Sequence, residues 1–334
     1  MQFDSICELP KDFLEILLRR VKLLAVCSLC LLALIAKADD MAPLKPSIDV
    51  YISVDWEGWS LEQENLEAMA EFRKRFPQIP LWHFLNPVYW ARQGANLAEI
   101  TRRVRSVIRP GDSLGLHLHG WKQMLVYCGL QYQSSPGFEG HDETCATGDC
   151  GYMVSLEMAY DEATLGNLLA CSIDVLNSQG FGRVQSFRAG GWQQGPKLAA
   201  ALRANGFLVD SSRTDPAWVA AEWGSQSPLV VLLKQLHPNA SVLDQPVSLL
   251  PGLMEYPDNG SLADYTRTKV LVEAFKKVLD SHEKVFVTGF HQETAFNFLS
   301  RLEQAIPEME AAATAAGVTI HWSLPPELAF RDFE

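Results

Sequence analysis

Short runs rich in β-branched and aromatic residues alternate with stretches of helical spacing along most of this chain, and that alternation limits the fold more than any other feature. Strands are expected at residues 49–55 (DVYISVD), 80–86 (PLWHFLN), 112–119 (DSLGLHLH), 184–188, 207–210, 253–256, 284–290 (KVFVTGF) and 318–322. Helices are expected at 64–75, 97–108, 164–179, 195–205, 264–280 and 293–316, with Pro307 breaking the last or starting a second piece. Repeated βα units imply a parallel sheet with helices outside it, either closed as a barrel or open. Residues 120–155 read as an irregular Gly- and Ser-rich insertion, and the Pro-punctuated stretch 216–250 carries no assignment.

A chain of 334 residues with 48% hydrophobic content can build one large core. The net charge of −12 repels phosphate backbones, so nucleic acid is not an expected partner. No apolar run reaches the length of a spanning helix, which excludes a membrane bundle. Near the N-terminus, Arg19, Arg20 and Lys22 precede an apolar run from Leu23 to Ala36, which ends in Ala36-Lys37-Ala38. That pattern is expected to be a signal peptide cleaved after Ala38, with an uncleaved anchor as the competing reading. Residues 39–334 then form a single domain, exported to the periplasm or the extracellular space, that contacts a membrane only if the N-terminal segment is retained. Export permits disulfides, and Cys128, Cys145 and Cys150 share the insertion. Cys145 with Cys150 closes the shortest loop, while Cys128 could pair with either; Cys171 reads as a small buried apolar residue.

In βα proteins reactive groups collect at the carboxyl ends of the strands. Here those ends carry Asp55 and Glu57, His117 and His119, Arg188, Asp210, and His291. His117-x-His119 is the sharpest signal, because side chains two apart on a strand face the same side. Two neutral imidazoles and a carboxylate from Asp55 or Glu57 make a site for a divalent ion, with zinc expected and cobalt, nickel or manganese as alternatives. Asp55 is the candidate base, held ionised by Arg188. His291 is the candidate proton donor to a leaving amine. Asp210 either buttresses His291 or caps a helix with Ser211 and Ser212. Trp59, Trp121, Trp192 and Trp218 flank the strand ends and are candidates for sugar stacking, against the plainer reading of a hydrophobic lid. His83 and His321 read as structural. The two glycines of Phe187-Arg188-Ala189-Gly190-Gly191-Trp192 suggest backbone that turns tightly or approaches a ligand.

The order of these motifs resembles the polysaccharide deacetylase family, also called NodB-homology or carbohydrate esterase family four. Ser53-Val54-Asp55-Trp56-Glu57-Gly58 stands where the family has Thr-Phe-Asp-Asp-Gly. Asp55 then matches the family's base, and Glu57 is the nearest substitute for a metal-binding Asp whose position holds Trp56. In the family's His-Ser/Thr-x-x-His motif, His117 matches the first His; Trp121 occupies the second position, and His119 is the replacement. Arg188-Ala189-Gly190 is similar to Arg-x-Pro, Asp210-Ser211-Ser212 with Trp218 to the Asp and Trp motif, and Thr288-Gly289-Phe290-His291 to Leu-x-x-His. The resemblance spans roughly residues 48–330. It implies a distorted (β/α) barrel of about seven parallel strands. It also implies a metal-dependent hydrolase of non-peptide carbon–nitrogen bonds, removing acyl groups, N-acetyl above all, from a polysaccharide or amino sugar. The competing expectations are an inactive carbohydrate-binding protein on the same scaffold, and a metal-free glycoside hydrolase, against which the His-x-His pair argues.

Overall fold

A computed structural model describes residues 46–137, 150–237, 245–281 and 285–328. The expected signal segment 1–38, together with Cys145, lies outside the described residues. No helix among the described residues is long and apolar enough to cross a membrane.

The sheet is built around β1 (Ser47–Asp55), which pairs in parallel with β2 (Leu81–Leu85) on one side and β8 (Val285–His291) on the other. From β2 the order continues through β3 (Ser113–Leu118), β4 (Ser186–Ala189), β5 (Val209–Asp210) and β7 (Leu253–Glu255), all parallel. β6 (Val247–Leu250) forms an antiparallel hairpin with β7, and β9 (Thr319–Trp322) pairs with the first half of β1, below β2. The expected strands are therefore present, with β6 as an antiparallel addition.

The sheet curls into a distorted (β/α) barrel, closed by an irregular strip that follows β7. On one edge of this strip Tyr256 N–H donates to Asp210 O at 2.8 Å and Asp258 N–H to Arg213 O at 2.7 Å. On the other, Gly260 N–H donates to Val287 O at 2.7 Å and Ala263 N–H to Gly289 O at 2.8 Å. The Asn259 side chain completes the seam, donating to Val285 O and accepting from Val287 N, both at 2.8 Å.

Period-two alternation sorts the strand residues between two environments. Ile48, Val50, Ile52 and Val54 of β1, Leu114, Leu116 and Leu118 of β3, and Phe286 and Phe290 of β8 pack in the large outer core beneath the helices. Tyr51, Trp82, Phe84, Val209, Tyr256 and Val287 form a separate cluster that plugs the barrel. The residues next along the inward-facing rows are polar: Ser53 and Asp55, His117, Arg188 and His291. The chain thus places its chemistry directly above its apolar plug.

The outer layer comprises α1 (Gln63–Arg75), α2 (Val88–Ala91), α3 (Leu97–Arg105), α4 (Lys122–Tyr127), α5 (Leu156–Ala159), α6 (Glu162–Ser178), α7 (Pro196–Ala204), α8 (Pro216–Trp223), α9 (Pro228–Leu236), α10 (Thr268–Leu279) and α11 (Ala295–Ala315). Two findings correct the sequence expectations. The unassigned stretch holds α8 and α9, each opened by a cap side chain (Asp215 or Ser227) followed by Pro at the first helical position. And α11 runs through Pro307 without a break.

The expectations for Cys128 and Cys171 are also corrected. Cys128, at the end of α4, bonds to Cys171 of α6 with a Cα–Cα distance of 5.9 Å, so Cys171 is a covalent tie and not a lone apolar residue. Cys150 is disulfide-bonded as well.

His83 points outward from β2. Trp56 Nε1–H donates to its Nδ1 at 3.3 Å, its Nε2 lies 3.5 Å from Asp112, and Asp112 pairs with Arg73 at 2.7 Å. This is a buried structural network. His321 is half exposed beside Asp49, clear of the barrel mouth.

Candidate metal centre

At the top of the barrel three imidazoles turn their Nε2 atoms toward one carboxylate. His117 Nε2 lies 3.2 Å from Glu57 Oε1, His119 Nε2 lies 2.6 Å from Glu57 Oε2, and His291 Nε2 lies 3.2 Å from Glu57 Oε1. Ligand atoms of Glu57, His117 and His119 all fall within 4.8 Å of one another, as do those of Asp55, Glu57 and His291. All five residues line one open recess.

The far nitrogens decide how this cluster reads. His117 Nδ1 lies 2.9 Å from the carbonyl oxygen of Arg188, and His119 Nδ1 lies 2.9 Å from that of Tyr152. A carbonyl oxygen only accepts, so each Nδ1 carries its proton and donates. In the neutral ring Nε2 is then a bare lone pair, and here it faces a carboxylate oxygen. Lone pair against carboxylate is repulsive unless a second proton or a cation stands between them. Imidazoles fixed by Nδ1–H donation, with Nε2 converging on a carboxylate, are what a divalent ion requires of its ligands. Glu57, His117 and His119 fit that role.

Local sequence sets this geometry. His117 is on the inward row of β3, and His119 follows the strand end on the same side. A Cβ on Gly190 would lie 2.6 Å from the His119 ring, so only glycine lets that ring sit where it does. Tyr152 stacks on the other side of His119 at 4.1 Å, and its hydroxyl hydrogen-bonds Glu57. Burial works to raise the Glu57 carboxyl, but the His119, His117 and His291 imidazoles outweigh it and hold the group well below the usual carboxylate range.

Beside this cluster, Arg188 Nη1 donates to Asp55 Oδ1 at 2.9 Å and to Ser53 Oγ at 2.7 Å. Its other donors reach the Ser211 carbonyl at 2.8 Å and the Ser211 hydroxyl at 2.7 Å, and its guanidinium lies over the Phe84 ring. A fully buried guanidinium tethered at every side orients Asp55 and gives its negative charge a partner. His291 Nδ1–H donates to Asp264 at 3.0 Å. Burial opposes the imidazolium, but Asp264 and Glu57 prevail and push the His291 pKa well above that of a free imidazole.

Several expected site residues lie elsewhere. Asp210 does not reach His291: it accepts from the Ser212 hydroxyl and pairs in register with Glu255 on β7, facing away from the barrel interior. Asp264 takes the place beside His291. It was hidden in the sequence because residue 264 reads as the start of a helix, whereas α10 begins at Thr268 and Asp264 sits in the turn before it. Trp121 is fully buried and donates from Nε1 to the Glu57 carbonyl at 2.9 Å, so no sugar can stack on it. Trp218 packs against the outer core and does not line the recess. Trp192 does line it, donating to Asp258 at 3.2 Å, and Trp59 is exposed at the rim, edge-on to Trp121. Tyr152, Trp223, Leu229 and Tyr265 complete the wall. They come from segments without strand-end signals, so alternation alone could not reveal them.

No protein-family model matches the sequence, and no curated protein matches it. Solved structures do match in chain path. The path is similar to that of polysaccharide deacetylases. A putative polysaccharide deacetylase from Mycobacterium smegmatis aligns at 14% identity and a TM-score of 0.49, covering 83% of this chain and 88% of the other. A family 4 carbohydrate esterase from Streptomyces lividans, in complex with acetate, aligns at 11% identity and a TM-score of 0.41, covering 86% and 97%. A 4-alpha-glucanotransferase from Thermococcus litoralis also aligns, at 13% identity and a TM-score of 0.46, covering 82% of this chain and 39% of that one. A chain path does not fix a chemistry; the side chains of the site do.

Proposed function

We propose that this protein is a metal-dependent hydrolase that removes acyl groups, N-acetyl above all, from an amino sugar or polysaccharide. The observation that carries the reading is the pair of backbone-anchored imidazoles whose Nε2 atoms converge with Glu57 beside an arginine-held aspartate. Glu57, His117 and His119 would hold a divalent ion, with zinc the expected metal and cobalt, nickel or manganese able to replace it. Such an ion supplies Lewis acidity, polarising an acyl carbonyl and making water more acidic.

The chain's own groups supply the proton chemistry. Water adds its oxygen to the acyl carbon and gives up a proton, which Asp55 accepts at the oxygen not committed to Arg188. As the carbon–nitrogen bond breaks, His291 donates the proton on Nε2 to the departing amine. Asp264 at Nδ1 keeps that ring protonated and aimed. The products are a free amine and a carboxylate. Tyr152, Trp192, Trp223 and Tyr265 present aromatic faces around the recess that suit a sugar ring, with Trp59 at the rim. The Cys128–Cys171 bond supports an exported location, periplasmic or extracellular.

Acetate release from N-acetylglucosamine oligomers tests the reading directly. Stripping metal with a chelator should abolish release and added zinc or cobalt should restore it, while Asp55→Asn should lower it by about 100-fold or more. Sugar binding that survives chelation, with no acetate released under any metal, would identify a binding protein instead.

A further inference from the structure

We propose that Glu293 is a positioning residue: it fixes the metal-binding carboxylate of Glu57 and locks the turn that carries it to the turn that carries His291. The inference rests on the reading of Glu57 as a metal ligand and goes beyond it. Three successive backbone N–H groups converge on the Glu293 carboxylate. Glu57 N–H donates to Oε2 at 3.1 Å, and Gly58 and Trp59 N–H donate to Oε1 at 3.0 and 3.3 Å. The Tyr89 hydroxyl donates to the same Oε1 and accepts from Gly58 N–H at 3.2 Å.

Consecutive amides can face one anion only where the backbone coils into a nest. Gly58 provides the coil with φ of +90°, and a Cβ there would lie 2.3 Å from Val88 Cγ1. The carbonyl of Glu57 is held from the opposite side, accepting from Asn86 Nδ2 at 3.0 Å and Trp121 Nε1 at 2.9 Å. With both ends of its peptide groups engaged, Glu57 has little freedom except at its side-chain torsions. Glu293 is itself tied down: its carbonyl accepts from Asn65 Nδ2 at 2.7 Å, and Asn65 Oδ1 accepts from Phe296 N–H at 2.9 Å. Because Glu293 lies two residues beyond His291, one carboxylate spans the ligand turn and the proton-donor turn.

The test is zinc binding, read by competition against a chromophoric chelator, alongside thermal unfolding of the metal-free proteins. Wild type, Glu57→Ala, Glu293→Ala and Glu293→Gln are compared. Folded Glu293→Ala should bind zinc about 10- to 100-fold more weakly than wild type, the scale expected for loss of a group that orients a metal ligand. Glu293→Gln keeps one acceptor and should fall between the two. A Glu293→Ala that melts earlier yet binds zinc as tightly as wild type has a merely structural glutamate, and overturns the proposal. If Glu293→Ala does not fold, Glu293→Gln decides: wild-type affinity in that variant overturns it. Equal binding by wild type and Glu57→Ala would instead remove the metal reading itself, and the positioning role with it.

Discussion

His83 and His117 are both buried on β-strands, and the partner of each ring nitrogen separates their work. His83 accepts an indole N–H at Nδ1 and turns Nε2 toward Asp112 at 3.5 Å, so both nitrogens face the outer core. His117 spends Nδ1 on a backbone carbonyl and leaves Nε2 facing Glu57. His117→Ala should therefore lower zinc affinity by more than 10-fold while keeping the fold, with metal content of the purified variant as the readout. His83→Ala should retain metal and lose about 1–3 kcal/mol of stability, because it strips a buried carboxylate and an indole of a partner. Asp264 acts on His291 through its charge. Asp264→Asn should reduce turnover by about 10- to 100-fold and move the limb of the pH–rate profile that reports the imidazolium to lower pH.

At the scale of elements, α4, which forms within the stretch read as an insertion, is joined to α6, which follows that stretch, by Cys128–Cys171 across a sequence separation of 43. Closing a loop of that length restricts the unfolded chain, and removing this bond should destabilise the protein by about 2–4 kcal/mol. Thermal melts of wild type and of a Cys128→Ser, Cys171→Ser double variant would show it. Zinc affinity should be unchanged, because neither cysteine approaches the recess. The strands were legible because their apolar alternation survives in one dimension, and their polar ends were legible for the same reason. α8 and α9 were not, although Asp215-Pro216 and Ser227-Pro228 are start signals as clear as any in the chain. A proline read as an interruption there is a proline at the first helical position, where its missing N–H leaves no bond unmade.

For the molecule as a whole, buried acids make stability depend on pH. Asp210 and Glu255 face each other across β5 and β7; burial pushes both carboxyls up, and for Glu255 the charge of Asp210 pushes further. A carboxyl whose folded pKa exceeds its unfolded one binds its proton more tightly when folded. Its contribution is complete below the unfolded pKa, near 3.9 to 4.3 on the usual scale, and is lost as pH rises through the folded value. Metal-free protein should therefore lose stability between about pH 5 and about pH 8. Asp210→Asn should flatten that decline, as measured by urea unfolding across the range. Glu57 and Asp264 act in the opposite sense, since their lowered values favour the folded state above the unfolded pKa and withdraw that support as acid is added.

Sequence alone determined the alternation of strands and helices, and with it a parallel sheet with its chemistry at one end. It also determined that His117 and His119 share a side, because a two-residue period on a strand is fixed by backbone geometry. It placed Asp55, Glu57, Arg188 and His291 on the same rim. Only the tertiary structure decided which groups meet there. Asp264 and not Asp210 stands beside His291, Trp121 grips a carbonyl where a sugar face was expected, and Cys128 bonds Cys171. These pairings join residues far apart in sequence through turns that carry no periodic signal. Their distances are set by how the barrel closes, and a one-dimensional pattern does not encode that closure.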